Sequence, residues 1–285
     1  MEFPFEVGLQ PREIERLIKR ALKEDIGDGD ITTALTVPRG LRSRGYVVLK
    51  QDGVIAGLPV LEMVFRLFDR DVVIKARSKD GRRYRKGKIL AVVEGKARSL
   101  LTCERVALNF LQRLSGIATL TRKFVEAARG SGVRIVDTRK TTPGLRMLEK
   151  YAVRMGGGSN HRPRLSDLIL IKDNHIKAAG GIHEAIERVR RHKPGVGVEV
   201  EVGPEVPLDD LVTLRADIIM LDNWPLSRLR LAIRTIKQLP RRPLIEVSGG
   251  MNLSKVRRIA RLGPDFISVG SLTHSAPALD ISMDF

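Results

Sequence analysis

From about residue 133 onward the chain repeats one rhythm: a short apolar run, a polar loop, then an amphipathic stretch. The apolar runs fall at 133–136, 168–171, 198–202, 218–221, 244–247 and 266–269. Between most of them lie sequences with helical spacing, among them GIHEAIERVRRH, PLSRLRLAIRTIKQ and NLSKVRRIARLG. Parallel neighbours need a crossover long enough to hold a helix, and that crossover is right-handed in nearly every case. The alternation therefore predicts an α/β domain built on a parallel sheet. Six runs, with 152–155 as a candidate short seventh, suggest an incomplete TIM-like α/β barrel rather than a full ring of eight. An open doubly wound sheet is the alternative.

The first hundred residues follow a different pattern. Over 11–25, Ile14, Leu17, Ile18, Ala21 and Leu22 share one helical face, with charges opposite. GDGDITT (27–33) then breaks the helix with turn formers. Strand-like runs GYVVLKQDGVIAG, DVVIKARSKDGRR and GKILAVVEGKARSL alternate with Gly-containing turns, interrupted by one helix over about 58–68. This predicts a small antiparallel sheet with helices, and SKDGRRYRKGK as a solvated hairpin tip. A long helical pattern covers about 102–129.

Composition narrows the setting. A chain of 285 residues, 42% hydrophobic and 29% charged, suits one large domain or two of moderate size. No apolar run approaches the ~20 residues needed to span a bilayer, and the N-terminal stretch carries acids and no signal-peptide core. The single Cys103 excludes an internal disulfide and gives no zinc spacing. The expected setting is cytoplasmic. The net charge of +18 has three readings: nucleic-acid binding, a cleft for anionic substrates, or an Arg-rich surface reflecting genome composition or habitat. With aromatics at 4% and basic residues scattered, stacking platforms are lacking, so nucleic acid is not expected as the main partner.

In a barrel the site forms at the C-terminal ends of the strands. Those ends read Asp137-Thr138-Arg139-Lys140, Lys172-Asp173-Asn174-His175, Glu201, Asp222-Asn223, Ser248-Gly249-Gly250 and Gly270-Ser271. Cations come first, acids next and small residues last. The small residues leave backbone N–H groups free to approach a phosphate ahead of a helix. Glu201 and Asp222 suit Mg²⁺, which prefers oxygen ligands shared with water and phosphate. An ion pair with Lys140 or Lys172 is a compatible alternative, and Glu199 shares the face of Glu201. Arg139, His161 and Arg162 supply charge-assisted donors to carboxylates, each bond worth roughly 1.5–3 kcal/mol. GGGSN (156–160) lacks the spacing of a dinucleotide loop and reads as a segment bringing His161 and Arg162 to the pocket. His175, His183 and His192 form no metal-ligand pattern, and Cys103 has no base beside it in sequence.

The stretches DTRKTTPGLRMLEKYAVRMGGGSNHR, LIKDNHI, EVEV, IMLDN, EVSGGM and ISVGSLTHSAPALDIS closely resemble the quinolinate phosphoribosyltransferase family, the nicotinate-nucleotide pyrophosphorylases. EDIGDGDITT and ERVALNFLQRLSGIAT extend the resemblance over nearly the whole chain. It implies an N-terminal α/β sandwich domain (1–113, with the C-terminal tail packing on it) and an incomplete α/β barrel (114–285). It also implies a dimer with shared active sites, in some members a hexamer. The implied reaction joins quinolinate to 5-phosphoribosyl 1-diphosphate with Mg²⁺, releasing pyrophosphate and CO₂ and yielding nicotinate mononucleotide for NAD synthesis.

By the same resemblance, Arg139, His161, Arg162 and Lys172 hold the quinolinate carboxylates, with Lys140 close by and Arg105 entering from a partner subunit. Glu201 and Asp222 hold the Mg²⁺–diphosphoribose end. Ser248, Gly249, Gly250, Gly270, Ser271 and His274 surround the phosphates. Lys140, Lys172, Glu201 and Asp222 are the implied catalytic set. No nucleophile-plus-base pair stands out, in keeping with direct displacement. Two rivals remain: a fold-sharing paralogue associated with molybdenum transport, which would depart from the TRK and NHR motifs intact here, and a Schiff-base enzyme using Lys140 or Lys172.

Overall fold

The structure, a computed structural model, describes residues 11–285. Residues 1–10, where the stretch read for a signal peptide begins, lie outside the described residues. Two compact units emerge, one of residues up to Arg122 with 141–157 and 272–285, the other of 123–140 and 158–271.

In the first unit, α1 (Pro11–Ile26) buries Ile14, Ile18 and Leu22, the stripe its spacing marks. Asp30 caps α2 (Ile31–Thr36) by accepting from Thr33 N at 2.9 Å. Then follow β1 (Arg42–Leu49), β2 (Gly53–Val54), α3 (Leu58–Phe68), β3 (Val73–Ala76), β4 (Arg83–Tyr84), β5 (Ile89–Lys96) and the long α4 (Ala97–Ala127). β1, β5 and β3 form an antiparallel sheet that Ile281–Asp284 completes on the free side of β1.

SKDGRRYRKGK (78–88) is the connection between antiparallel neighbours β3 and β5, the expected hairpin tip, and within it β4 pairs with β2. Asp80 in that tip accepts from Gly57 N (2.6 Å) and Leu58 N (3.2 Å) at the start of α3 and from Tyr151 Oη (2.7 Å). Those bonds satisfy otherwise orphaned helix donors and fold the tip toward α3.

Residues 152–155, the candidate seventh strand, are the end of α5 (Arg146–Met155). Leu148, Ala152 and Val153 are buried at helical spacing. Fully buried Glu149 anchors the helix by accepting from Arg113 Nη2 at 2.8 Å and Thr142 Oγ1 at 2.8 Å.

The second unit carries β6 (Arg134–Val136), β7 (Ile169–Ile171), β8 (Val198–Val202), β9 (Ile218–Asp222), β10 (Leu244–Ser248) and β11 (Phe266–Ser268). All pairs are parallel, in the order β6-β11-β10-β9-β8-β7. Sequential strands are neighbours except β6 and β7, and the first strand lies beside the last. That is a barrel opened at one seam; a doubly wound sheet would reverse direction at a switch point. Ser159 partly closes the seam, bridging Val136 in parallel and donating its N–H to Ile135 O at 2.8 Å.

Between the strands run α6 (Asp173–Ala179), α7 (Ile182–His192), α8 (Leu208–Thr213), α9 (Leu226–Lys237) and α10 (Leu253–Ala260), and β11 leads into α11 (Ser271–His274). α9 buries Leu229, Ala232, Ile233 and Ile236, and α10 buries Val256, Ile259 and Ala260. Each large apolar side chain so buried contributes about 1.5–3 kcal/mol. Among the described residues no helix is long and apolar enough to cross a membrane.

Candidate active site

A cleft of about 320 Å³ opens at the C-terminal ends of the barrel strands. The strand period of two builds it. Leu170 and Lys172, Met220 and Asp222, and Glu246 and Ser248 line it as pairs two residues apart, one deep and one at the mouth. Glu201 and Ser268 join them.

One wall is cationic. Arg139 and Lys140 follow β6, and Arg162 arrives through the seam. Asp137, wholly buried, ties that segment to the end of β6 by accepting from Asn160 Nδ2 (2.7 Å) and His161 N (2.8 Å). Arg162 Nη1 donates to Leu168 O at 2.7 Å. Burial, and then the charge of Arg139, push the Arg162 guanidinium below its ordinary pKa. Two guanidiniums repelling each other in a partly dry cleft are relieved by an anion between them.

The opposite side is acidic. Glu201 is in short contact with the Lys172 ammonium, which realises the ion-pair alternative. A Schiff-base lysine must attack as a neutral amine, and a lysine paired with a carboxylate is placed as a cation. Asp222 stands beside Ser248 in register and accepts from Asn223 Nδ2 at 2.7 Å. Beyond Ser248 the backbone turns sharply. Gly249 has φ +100°, and a Cβ there would stand 2.2 Å from Asn223 Oδ1 and 2.7 Å from Asn223 N. Only glycine fits. Asn252 caps α10 by accepting from Lys255 N at 2.8 Å, so a helix N-terminus backs this turn.

The floor holds a cluster that sequence reasoning missed. His161 Nε2 lies 3.1 Å from Glu199 Oε2 and 3.7 Å from Glu246 Oε2, all three side chains buried. Burial pushes the Glu199 and Glu246 carboxyls up to about 8. His161 Nδ1 accepts from Arg162 N at 2.7 Å, which places the ring proton on Nε2, facing the acids. The imidazole therefore joins the floor to the cleft that it lines. The three ligand-type atoms lie within 4.8 Å of one another, as in a metal site. A metal on Nε2 requires the proton on Nδ1, the atom that accepts here, so the trio is arranged to hold protons.

The structure thus brings Arg139, Lys140, His161, Arg162, Lys172, Glu201, Asp222 and Ser248 onto one cleft. Gly249 and Gly250 follow β10, and Gly270 and Ser271 follow β11, at the same ends of the barrel strands. Arg105 and His274 belong to the other unit. Arg105 is exposed on α4, with Nη2 3.7 Å from Glu104 Oε1, and lines a surface pocket with Asp30, Ile31 and Leu101. His274 is exposed at the end of α11, with Nδ1 2.5 Å from Ser275 Oγ.

Family models for the N-terminal and C-terminal domains of quinolinate phosphoribosyl transferase match residues 30–115 and 117–284. The chain belongs to the quinolinate phosphoribosyltransferase family. It is 43% identical to a probable carboxylating nicotinate-nucleotide pyrophosphorylase of Bacillus subtilis, over 95% of this chain and 93% of that one. It is 44% identical to the nicotinate-nucleotide pyrophosphorylase of Mycobacterium leprae, over 94% and 95%. The crystal structure of NadC from Streptococcus pyogenes superposes with a TM-score of 0.92 at 45% identity, covering 98% of each chain.

For a member of this family, Asp137, Glu199 and Glu246 are the residues that motif reading left without a role. Glu199 had been placed on the right face. Glu246 had one sequence signal, an acid at an inward position of an otherwise apolar strand.

Proposed function

We propose that the cationic wall holds the two carboxylates of quinolinate while the acidic side and the glycine turns hold 5-phosphoribosyl 1-diphosphate. The enzyme transfers the phosphoribosyl group to quinolinate with decarboxylation, giving nicotinate mononucleotide, CO₂ and pyrophosphate in NAD synthesis. The observation that carries the assignment of sides is the adjacency of Arg139 and Arg162, facing a cleft whose other lining groups include Glu201, Asp222 and Ser248.

On this reading Arg139, Arg162 and Lys172, with Lys140 near, orient the pyridine so that its ring nitrogen faces the ribose carbon. Breaking the bond to diphosphate builds positive charge on the sugar and negative charge on the leaving group. Glu201 and Asp222 lie where they stabilise the former, and Lys140 and Lys172 the latter. Both acids are oxygen donors on a cleft suited to phosphates, a fit for Mg²⁺, which would supply Lewis-acid stabilisation of the departing diphosphate. Ser248, Gly249, Gly250, Gly270 and Ser271, with His274, offer N–H, hydroxyl and ring donors to the phosphates. Once alkylated, the cationic ring nitrogen stabilises the electron pair left on the adjacent ring carbon as CO₂ departs, and that carbon then takes a proton from solvent. The protein's part in that step is to position the ring and exclude water.

Arg105 completes the site from a second subunit, making the working form a dimer, in larger assemblies a hexamer. Its exposure beside apolar Ile31, itself 74% exposed, supports this. A cytoplasmic setting belongs to the same reading, supported by a lone buried cysteine. The test is CO₂ release from carboxyl-labelled quinolinate with each component omitted in turn and nicotinate run in parallel. Release that needs the protein, 5-phosphoribosyl 1-diphosphate and Mg²⁺ together, with nicotinate inert, is expected. Turnover of another base without CO₂ would sink the dicarboxylate assignment.

A further inference from the structure

Away from the cleft, the groove between α9 and the end of α10 concentrates positive charge. Its volume is about 380 Å³, and Arg230, Arg234, Lys237 and Arg261 line it with Ile233 and Leu262. The three α9 cations stand at i, i+4 and i+7, one face of the helix over about 10 Å of its length. Arg261 faces them from the C-cap of α10. Among the described residues no carboxylate lines the groove. None of the four cations has an ion pair or side-chain hydrogen bond among the described residues, unlike Arg66, Arg215 and Lys19, which pair with Glu62, Glu187 and Glu15.

The acid that acts on Lys237 is Asp265, and its oxygens are already taken. Arg242 forks onto them at 2.8 and 3.0 Å, and Ile245 N donates at 2.8 Å. The Lys237 ammonium instead lies over Gly263, 2.7 Å from where a Cβ would stand. A larger residue at 263 would displace it from the groove.

Four uncompensated cations converging on a concavity repel one another, and a compact multivalent anion removes that repulsion. We propose that this groove is a second anion site, for a chain of two or more linked phosphates, distinct from the catalytic cleft. Linked phosphates match it because their charges are spaced along a line, as the α9 cations are, and because guanidinium forks bind phosphate oxygens in pairs. The assignment also accounts for part of the +18 charge that catalysis leaves unexplained.

The test is calorimetric titration of the full chain with tripolyphosphate and, separately, with ATP, both without Mg²⁺. A Lys172→Ala/Gly249→Ala background weakens polyphosphate binding at the cleft, so that the groove is read alone. Arg230→Ala/Arg234→Ala is expected to weaken that remaining site at least tenfold and, in the otherwise unchanged protein, to leave quinolinate turnover as it was. The control Arg82→Ala/Arg83→Ala, which removes equal charge elsewhere, is expected to leave that site intact. Equal affinity for tripolyphosphate and ATP assigns the site to the phosphate chain alone, and tighter ATP binding to a nucleotide; either supports it. Absence of any site beyond the cleft, or equal losses in the groove variant and the control, overturns it.

Discussion

Arg139 and Arg162 oppose each other on one wall of the cleft, so truncating Arg139 should show in substrate binding more than in stability. Arg139→Ala is predicted to lower kcat/KM for quinolinate by about 10- to 150-fold, the equivalent of one lost charge-assisted bond. The KM for 5-phosphoribosyl 1-diphosphate should change little, and steady-state kinetics with each substrate varied decides it. Glu246 gives a pH prediction. Its carboxyl, raised from 4.5 to about 8 by burial, keeps its proton in the folded state while the unfolded chain ionises. The folded state then binds more protons, so this group's contribution to stability declines as pH rises from about 4.5 to about 8. Glu246→Gln removes that decline. Thermal melts should show the variant gaining on the parent between pH 5 and pH 8 by at least about 1 kcal/mol, whereas a pH-independent gap would contradict the protonated floor. Cations at strand ends were legible because their residue types are unusual there. Asp137 and Glu246 were harder, because their roles depend on partners 23 to 85 positions away that only the folded barrel supplies.

At the scale of elements, strong periodicity was enough. Each of β6 to β11 falls within one residue of its expected run, and α3 spans the expected 58–68. The misreading of a strand at 152–155 lies where a short segment answers to a distant one: four residues are too few to separate strand from helix, and buried Glu149, paired with Arg113, anchors α5. What the hairpin pattern at 78–88 did not show is its long-range anchor, Asp80 capping a helix more than twenty residues earlier. The turn after β10 yields a sharper prediction. In Gly249→Ala, strain at φ +100° and the clash with Asn223 should cost about 1–3 kcal/mol of stability. They should also raise the KM for 5-phosphoribosyl 1-diphosphate at least tenfold, with a smaller effect on quinolinate. An unchanged KM in a folded variant would remove this turn from the phosphate site.

For the whole molecule, the sequence resemblance and the barrel order agree on the family, while the assembly rests on Arg105. If Arg105 acts in the partner's cleft, Arg105→Ala and Arg139→Ala are each strongly impaired alone at low quinolinate and complement when their subunits are mixed. Random re-pairing makes half the dimers mixed, each with one intact cleft of two, so about a quarter of parental activity should return. No recovery after verified subunit exchange would place Arg105 outside the catalytic site. The central claim is that the crowded cations of the cleft exist to hold a dicarboxylate. Its most direct test is calorimetric binding of quinolinate and nicotinate to the same protein. Losing one carboxylate forfeits at least one charge-assisted bond, so quinolinate should bind at least about tenfold more tightly than nicotinate, with the difference shrinking in Arg139→Ala. Equal affinity for the two acids would contradict the account.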